Sequence, residues 1–255
     1  MNVCEVGLNH LGSADYSSSY IEILTQTKCD AITYQVREAS FYAQSDFESL
    51  ALDANHYERI TSECHLQGKL FGIALADHSR IEEFESYGVD FYKVLSWDIA
   101  EFSFIESLLH TNKPIFVSTG MASSSELDAL HNWIRAEKIP SERLQLIHTQ
   151  LTFDTSDVNL KAIKWMRERY PYPVAYGNHC EEIKVIYTAV AYEPSAFFIY
   201  VKNSPNRRHI DERHAVPLSL LPDLLDDIQH LTSALGTGDK LASVRKHQYL
   251  IQNQP

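Results

Sequence analysis

The sequence predicts an α/β protein built as one (β/α)8 TIM barrel, a single domain. Three observations predict it. Eight short apolar runs alternate with longer segments of helical periodicity. The runs are solidly apolar rather than alternating, as expected for parallel strands covered by helices. The chain has 255 residues, the length of one such barrel. A doubly wound open sheet is the alternative, and no GxGxxG follows the first run to support its dinucleotide-binding form.

In chain order the strands are expected at Val3–Leu8, Ala31–Val36, Leu70–Leu75, Phe91–Ser96, Ile115–Ser118, Leu144–His148, Val174–Tyr176 and Phe197–Val201. Between them, apolar residues recur at i, i+3 and i+4. Tyr20, Ile23, Leu24 and Thr27 form one such face, and Leu127, Leu130, Trp133 and Ile134 another. Val185, Ile186, Ala189 and Val190 form a third. A last helix is expected from about Pro217 to Leu235. Residues 1–235 are therefore assigned to the barrel and 236–255 to a short polar tail opening with Gly236-Thr237-Gly238.

The formal net charge of −12 disfavours nonspecific binding to nucleic acid or to an anionic membrane. A basic pocket inside an acidic shell remains compatible with a small anionic or sugar substrate. Cys4, Cys29, Cys64 and Cys180 are scattered with no CxxC, so they read as free buried thiols rather than as a zinc site or disulfide framework. No apolar run reaches the ~18 residues of a membrane span. The first strand begins at once, leaving no room for a signal peptide, so a cytoplasmic location is expected.

In a barrel of this kind the chemistry sits where strands end and loops begin. The first strand ends with Glu5, Asn9 and His10 close by, and the second supplies Thr33, Gln35 and Arg37. The third approaches Asp77 and His78. The fourth carries Lys93, Ser96 and Asp98, and the fifth ends in Ser118-Thr119-Gly120. The last three supply His148, then Asn178 and His179, then Tyr200 and Lys202. Each has a structural alternative. Glu5 has the option of pairing with a neighbouring lysine inside the barrel, and Lys93 of being half of such an ion pair rather than an anion clamp. Ser118 and Thr119 suit a helix cap as well as a phosphate. His148 and His179 are equally compatible with satisfied core histidines. Arg207, Arg208, His209 and Arg213 read either as an anion-binding loop or as a solvated basic one. His56, His65, His110, His131, His230 and His247 are expected at the surface.

Several segments resemble the sialic acid synthase family. Glu5-Val6-Gly7-Leu8-Asn9-His10-Leu11-Gly12-Ser13 resembles its opening E-I-G-x-N-H-x-G-S. Tyr92-Lys93-Val94-Leu95-Ser96-Trp97-Asp98 resembles Y-K-I-x-S-G-[DE], and Lys113-Pro114-Ile115-Phe116-Val117-Ser118-Thr119-Gly120-Met121 resembles K-P-[VI]-[IL]-[LV]-S-T-G-M. Leu146-Ile147-His148-Thr149, Asp157-Val158-Asn159-Leu160, Asn178-His179 and His214-Ala215-Val216 match later motifs in order. The resemblance implies a TIM barrel that condenses phosphoenolpyruvate with an N-acetylated amino-sugar aldehyde to a nonulosonic acid. It also implies a divalent metal, manganese or magnesium, held by two histidines. Carried over residue by residue, Lys93, Ser96 and Ser118 match phosphoenolpyruvate-binding positions. Glu5, Gln35 and Asp98 match sugar-handling positions, and His179 matches one metal ligand.

The departures are specific. Thr33 replaces a second phosphoenolpyruvate-binding lysine, with Arg37 nearby as a substitute charge. Ala74, Leu151, Phe153 and Gly177 stand at polar positions of the family. The strand-eight motif E-K-H-F is absent, and counting from His179 puts Tyr200 at the second metal histidine, with Lys202 in play if the register shifts. Arg213 replaces an aspartate, and the family's antifreeze-like C-terminal domain is missing from this sequence. The candidate catalytic residues are thus Glu5, Lys93 and Asp98, with His179 as a metal ligand weakened by loss of its partner. Candidate substrate-binding residues are Asn9, His10, Gln35, Arg37, Ser96, Ser118, Thr119, His148, Asn178, Tyr200, Lys202, Arg213 and His214. Three readings follow: a sialic-acid-synthase-type transferase, a diverged aldolase or lyase on another sugar-like or keto-acid substrate, or a noncatalytic partner of a competent synthase. A homodimer or pairing with a related synthase is open under each.

Overall fold

The computed structural model describes residues 1–204 and 206–240. Eight parallel strands, each hydrogen-bonded to the next, close into a barrel through pairing of the first with the eighth. They are β1 (Asn2–Gly7), β2 (Ala31–Val36), β3 (Leu70–Leu75), β4 (Phe91–Val94), β5 (Ile115–Ser118), β6 (Leu144–His148), β7 (Val174–Asn178) and β8 (Phe197–Lys202). The helices α1 (Ala14–Leu24), α3 (Ala54–Leu66), α4 (Ile81–Tyr87), α5 (Phe102–Leu109), α6 (Ser124–Ala136), α7 (Lys161–Arg169) and α8 (Lys184–Val190) fill the crossovers. A four-residue helix, α2 (Ala39–Tyr42), interrupts the connection from β2 to α3. The helix starts are written in the sequence: Ser13 caps α1, and Ser123 with Glu126 forms a reciprocal capping box on α6.

Two differences from the expected elements have local causes. The fourth strand stops at Val94 because Ser96–Asp98 turns into a 3-10 helix. The last helix, α9 (Leu221–Leu235), starts later than Pro217 because Val216–Pro217 forms β9, which pairs with Val201 and Lys202 of β8. Pro222 then sits in the first turn of α9, where a missing N–H does no harm. The expected tail lies mostly outside the described residues, as do the position of His247 and everything after Lys240. Among the described residues, no helix is long and apolar enough to cross a membrane.

Alternation along the strands sorts side chains into two cores. Outward residues such as Cys4, Ile32, Tyr92 and Ile199 pack under the helices. Inward residues Val3, Ala31, Phe91, Phe116, Ile147, Ala175, Ala196 and Phe198 plug the barrel. Phe116 lies edge-on to both Phe91 and Phe198, with centroids 5.4 and 5.0 Å away. Gly72 is required beside this plug, since a Cβ there would stand 2.3 Å from the Phe91 ring. The plug fills the lower barrel, so any polar side chain on the next inward layer has no water beneath it. His56, expected at the surface, is instead buried between α3 and α1, its Nε2 2.8 Å from Ser17 Oγ.

Candidate active site

Directly above the plug lies a buried ion pair. Lys93 of β4 donates to the Glu5 carboxylate of β1, and its ammonium stands 5.2 Å from the Phe198 ring centroid. Both side chains are almost fully buried, so each charge depends on the other. Above the pair opens a cavity of about 390 Å³ at the C-terminal end of the strands, at the small end of ligand-sized sites. Of the candidates, Gln35, Arg37, Lys93, Ser96, Ser118, His179, Tyr200 and His214 line it. Glu5 reaches it through Lys93.

One wall carries hydroxyls and a cation. Ser96 Oγ and Ser118 Oγ are 2.8 Å apart, and the Gly120 N–H donates to Ser96 Oγ at 3.2 Å. Arg37 rises from the end of β2 between two aromatic faces, its guanidinium carbon 4.1 Å from the Phe41 centroid and 5.0 Å from that of Trp97. Its Nε also meets Glu38 at 3.0 Å.

The opposite wall is aromatic and uncharged. His179 and His214 stack with centroids 4.4 Å apart and planes 24° apart. Tyr200 presents itself edge-on to both, at 5.3 and 4.8 Å. Burial, then His214, then Lys93 hold the His179 imidazolium well below the usual range. Burial, with Lys93 and Lys202 adding to it, pushes His214 down to about 4. Both rings are therefore neutral at pH 7.

The remaining candidates lie off the cavity, and all but Asp98, whose buried Oδ2 has no hydrogen-bond partner among the described residues, have a visible occupation. Asn9 is fully buried; its Nδ2 donates to the Val201 carbonyl at 2.9 Å, and its Oδ1 accepts from the Asp211 N–H at 3.0 Å. His10 stacks on Tyr34 in the layer under the helices and accepts from the Gly12 N–H. Burial, followed by His56, takes its pKa to about 3. Thr119 donates to the Ile147 carbonyl, and His148 bonds the Val158 carbonyl through Nε2 at 3.0 Å. These two border a separate surface pocket between α6 and α7. Asn178 is held by the Tyr176 hydroxyl and the Cys180 carbonyl. Lys202 donates to Glu212, and Arg213 turns outward to Glu181 over the Phe153 ring. Asp98 sits on the 3-10 turn after β4, outside the cavity lining. Burial, then Glu38 and Glu101, raise its carboxyl to about 6 against the pull of Arg37.

Asp211 was not among the expected residues, yet it lines the cavity. Its Oδ1 is 3.8 Å from His214 Nε2. Burial and then Glu5 raise its carboxyl to about 7, with Lys93 opposing. The loop that carries it has no periodicity to mark it. One sequence signal does point there. Gly7 adopts φ +56° at a bulge in β1, and a Cβ on it would stand 2.8 Å from the Tyr200 ring and 3.2 Å from Asp211 Oδ2.

The donors around His179 do not fit a divalent ion. Imidazole lone pairs lie in the ring planes, so two stacked rings do not aim them at one point. Beside them stands the Tyr200 phenol, which burial pushes well above its ordinary pKa, away from the phenolate a metal would need. Among the described residues, no group of three or more His, Cys, Asp or Glu could hold a metal ion.

Comparison with known proteins agrees with the barrel. The model of the NeuB family matches residues 18–240. The chain is 23% identical to the N,N'-diacetyllegionaminic acid synthase of Campylobacter jejuni, over 94% of this chain and 79% of that protein. It is 20% identical to the human N-acetylneuraminate-9-phosphate synthase, over 93% of this chain and 72% of that one. The solved N-acetylneuraminic acid synthetase of Leptospira borgpetersenii superposes with a TM-score of 0.87 at 20% identity, covering 98% and 90% of the two chains. A truncated 3-deoxy-D-arabino-heptulosonate 7-phosphate synthase from Thermotoga maritima shares the fold at a TM-score of 0.74 and 13% identity, covering 93% and 88%. The relatives named above are synthases, and this chain belongs to the NeuB family.

Proposed function

We propose that this chain is a nonulosonic-acid-synthase-type enzyme that joins phosphoenolpyruvate to an amino-sugar aldehyde. The observation that carries the reading is the Lys93–Glu5 pair beneath a cavity walled by the Ser96–Ser118 hydroxyls. Lys93 and the two serines supply a cation and donors to the phosphate and carboxylate of phosphoenolpyruvate. Arg37 adds charge at the mouth. Gln35 and the apolar upper wall of Phe41, Phe47 and Trp97 receive the sugar. Glu5 accepts the proton of the water that adds to the enol carbon once the carbon–carbon bond has formed. No step is routed through a metal, because the donor set does not suit one. Such an enzyme would work in the cytoplasm, on small anionic and sugar substrates.

A second reading has its own support. Glu5 neutralises Lys93, both cavity histidines are neutral, and Arg37 is itself paired with Glu38. A phosphate dianion with a carboxylate asks for more positive charge than this. A keto acid bearing a carboxylate alone asks for less, which favours an aldolase or lyase. Calorimetric titration separates the two. Phosphoenolpyruvate binding that is lost in Lys93→Ala supports the synthase. Pyruvate binding without phosphoenolpyruvate binding supports the aldolase. Neither ligand binding would sink both and leave the noncatalytic partner role.

A further inference from the structure

The Asp211 carboxyl is presented to the cavity by a seat that several residues build. On one side Asn9 grips the backbone, accepting from the Asp211 N–H while donating to β8 at Val201. On the other, Glu212 anchors the next position: it accepts from Lys202 at 2.5 Å and from the His209 backbone at 3.1 Å, and its Oε2 is 3.0 Å from His209 Nδ1. The far nitrogen of His209 is 2.9 Å from the Tyr16 hydroxyl on α1, which ties the loop to the barrel shell. Beneath, Gly7 leaves the space into which Oδ2 points. Among the described residues, no hydrogen bond reaches either carboxyl oxygen of Asp211. The carboxyl is thus firmly positioned at the cavity lining, 18% exposed and without a hydrogen-bond partner of its own.

We propose that Asp211 is a catalytic residue, the acid that protonates the carbonyl oxygen of the acceptor aldehyde. The proposal rests on the synthase reading above. In this step the methylene carbon C3 of phosphoenolpyruvate attacks the aldehyde carbon, and its C2=C3 π pair becomes the new carbon–carbon bond. The C=O π pair moves onto oxygen, which takes the Asp211 proton. The products are a neutral alcohol, the Asp211 carboxylate and an oxocarbenium at C2, the phosphate-bearing carbon; water then captures C2, and phosphate leaves as the ketone forms. Protonation by a side chain thus does what a Lewis acid would do at that oxygen.

The groups that face Asp211 keep it in the donor form. Glu5 from β1 repels a second negative charge, and burial disfavours one, while Lys93 from β4 acts the other way. Tyr200 of β8 is an un-ionised phenol and His214 of the same loop an uncharged imidazole. Neither supplies a cation to draw the proton off.

The test measures aldehyde-dependent phosphate release from phosphoenolpyruvate in wild type, Asp211→Asn and Asp211→Glu, with chelator present. Asp211→Asn is expected to lose about a hundredfold or more in kcat with phosphoenolpyruvate affinity nearly unchanged, and Asp211→Glu to recover part of the loss. Wild-type kcat is expected to fall as pH rises through about 7. Asp211→Asn with undiminished kcat, or a wild-type rate abolished by chelator and restored by manganese, overturns the proposal. Carbon-13 NMR of the aspartate carboxyls gives a second readout that needs no turnover. A resonance titrating near 7 and missing from Asp211→Asn supports the donor; an Asp211 resonance titrating in the ordinary carboxyl range refutes it. Absence of phosphate release from wild type with every aldehyde tried would count against the synthase reading itself, and the NMR titration would still decide the state of Asp211.

Discussion

The two walls of the cavity differ in their chemistry. The β1–β5 wall keeps Glu5, Gln35, Lys93, Ser96 and Ser118 where the sequence motifs put them, and the fold brings them together. The β7–β8 wall keeps His179 but sets it against Tyr200, His214 and Asp211, a combination of neutral rings and one carboxyl. The first wall carries the cations of the cavity, Lys93 and Arg37, each paired with a carboxylate. The second, among the described residues, has no cation within it. The difference teaches that a group on a loop, here Asp211, can enter the same space as the residues of the strand ends.

The largest expected effect comes from breaking the ion pair on which the first wall stands. Lys93→Met leaves Glu5 as an unpaired carboxylate over an aromatic plug. Removing one partner of a buried pair typically costs ~3–5 kcal/mol. Urea denaturation of Lys93→Met should show a loss of that order, and calorimetry should show no binding of phosphoenolpyruvate. Adding Glu5→Gln to Lys93→Met should return most of the stability and none of the binding. Full stability in the single variant would mean that Glu5 is already protonated, and the first wall would then be no more charged than the second.

The second wall is sharpened by two adjacent carboxyls with opposite linkage. Asp211 is raised to about 7, so between roughly pH 4 and 7 the folded protein binds a proton that the unfolded chain has released. Its contribution to stability therefore falls as pH rises through that window. Burial works to raise Glu212, but Lys202 and His209 outweigh it and take the carboxyl down to about 2. Its contribution is present above the unfolded value and is lost as pH falls through about 2. Chemical denaturation across pH should find Asp211→Asn more stable than wild type by ~1–3 kcal/mol at pH 8. Glu212→Gln should be less stable by no more than about 1 kcal/mol, since its side chain is 40% exposed and screened by water. The same sign for both variants would break the account of the Asp211 seat.

Periodicity and burial explain which parts of this were legible beforehand. β2, β3, β5 and β6 match their expected limits because each is a mostly apolar run that is almost entirely buried. The pairing of Glu5 with a lysine was foreseeable as the structural use of a buried carboxylate, although the partners lie 88 residues apart. β9 was hidden because two residues added to an edge carry no period, and His56 because a histidine on a helix does not announce the Ser17 hydroxyl opposite it. Asp211 was hidden for a related reason. Its placement depends on Asn9 and Gly7, which contact it across some 200 positions of sequence and read locally as parts of a turn.

The smallest effect distinguishes the two arginines of the rim. Arg37 and Arg213 both cover an aromatic face, at 4.1 Å from Phe41 and 4.0 Å from Phe153. Only Arg37 lines the cavity; Arg213 is exposed and spends its charge on Glu181 at 3.0 Å. An exposed pair of that kind is worth ~0–1 kcal/mol. Arg213→Ala should accordingly shift the denaturation midpoint slightly and leave phosphoenolpyruvate affinity within about twofold of wild type. Arg37→Ala should weaken it by about tenfold, the value of one charge-assisted contact. If Arg213→Ala proved the more damaging of the two, the anion would be held by the β8 loop, and the division of labour between the walls would have to be reversed.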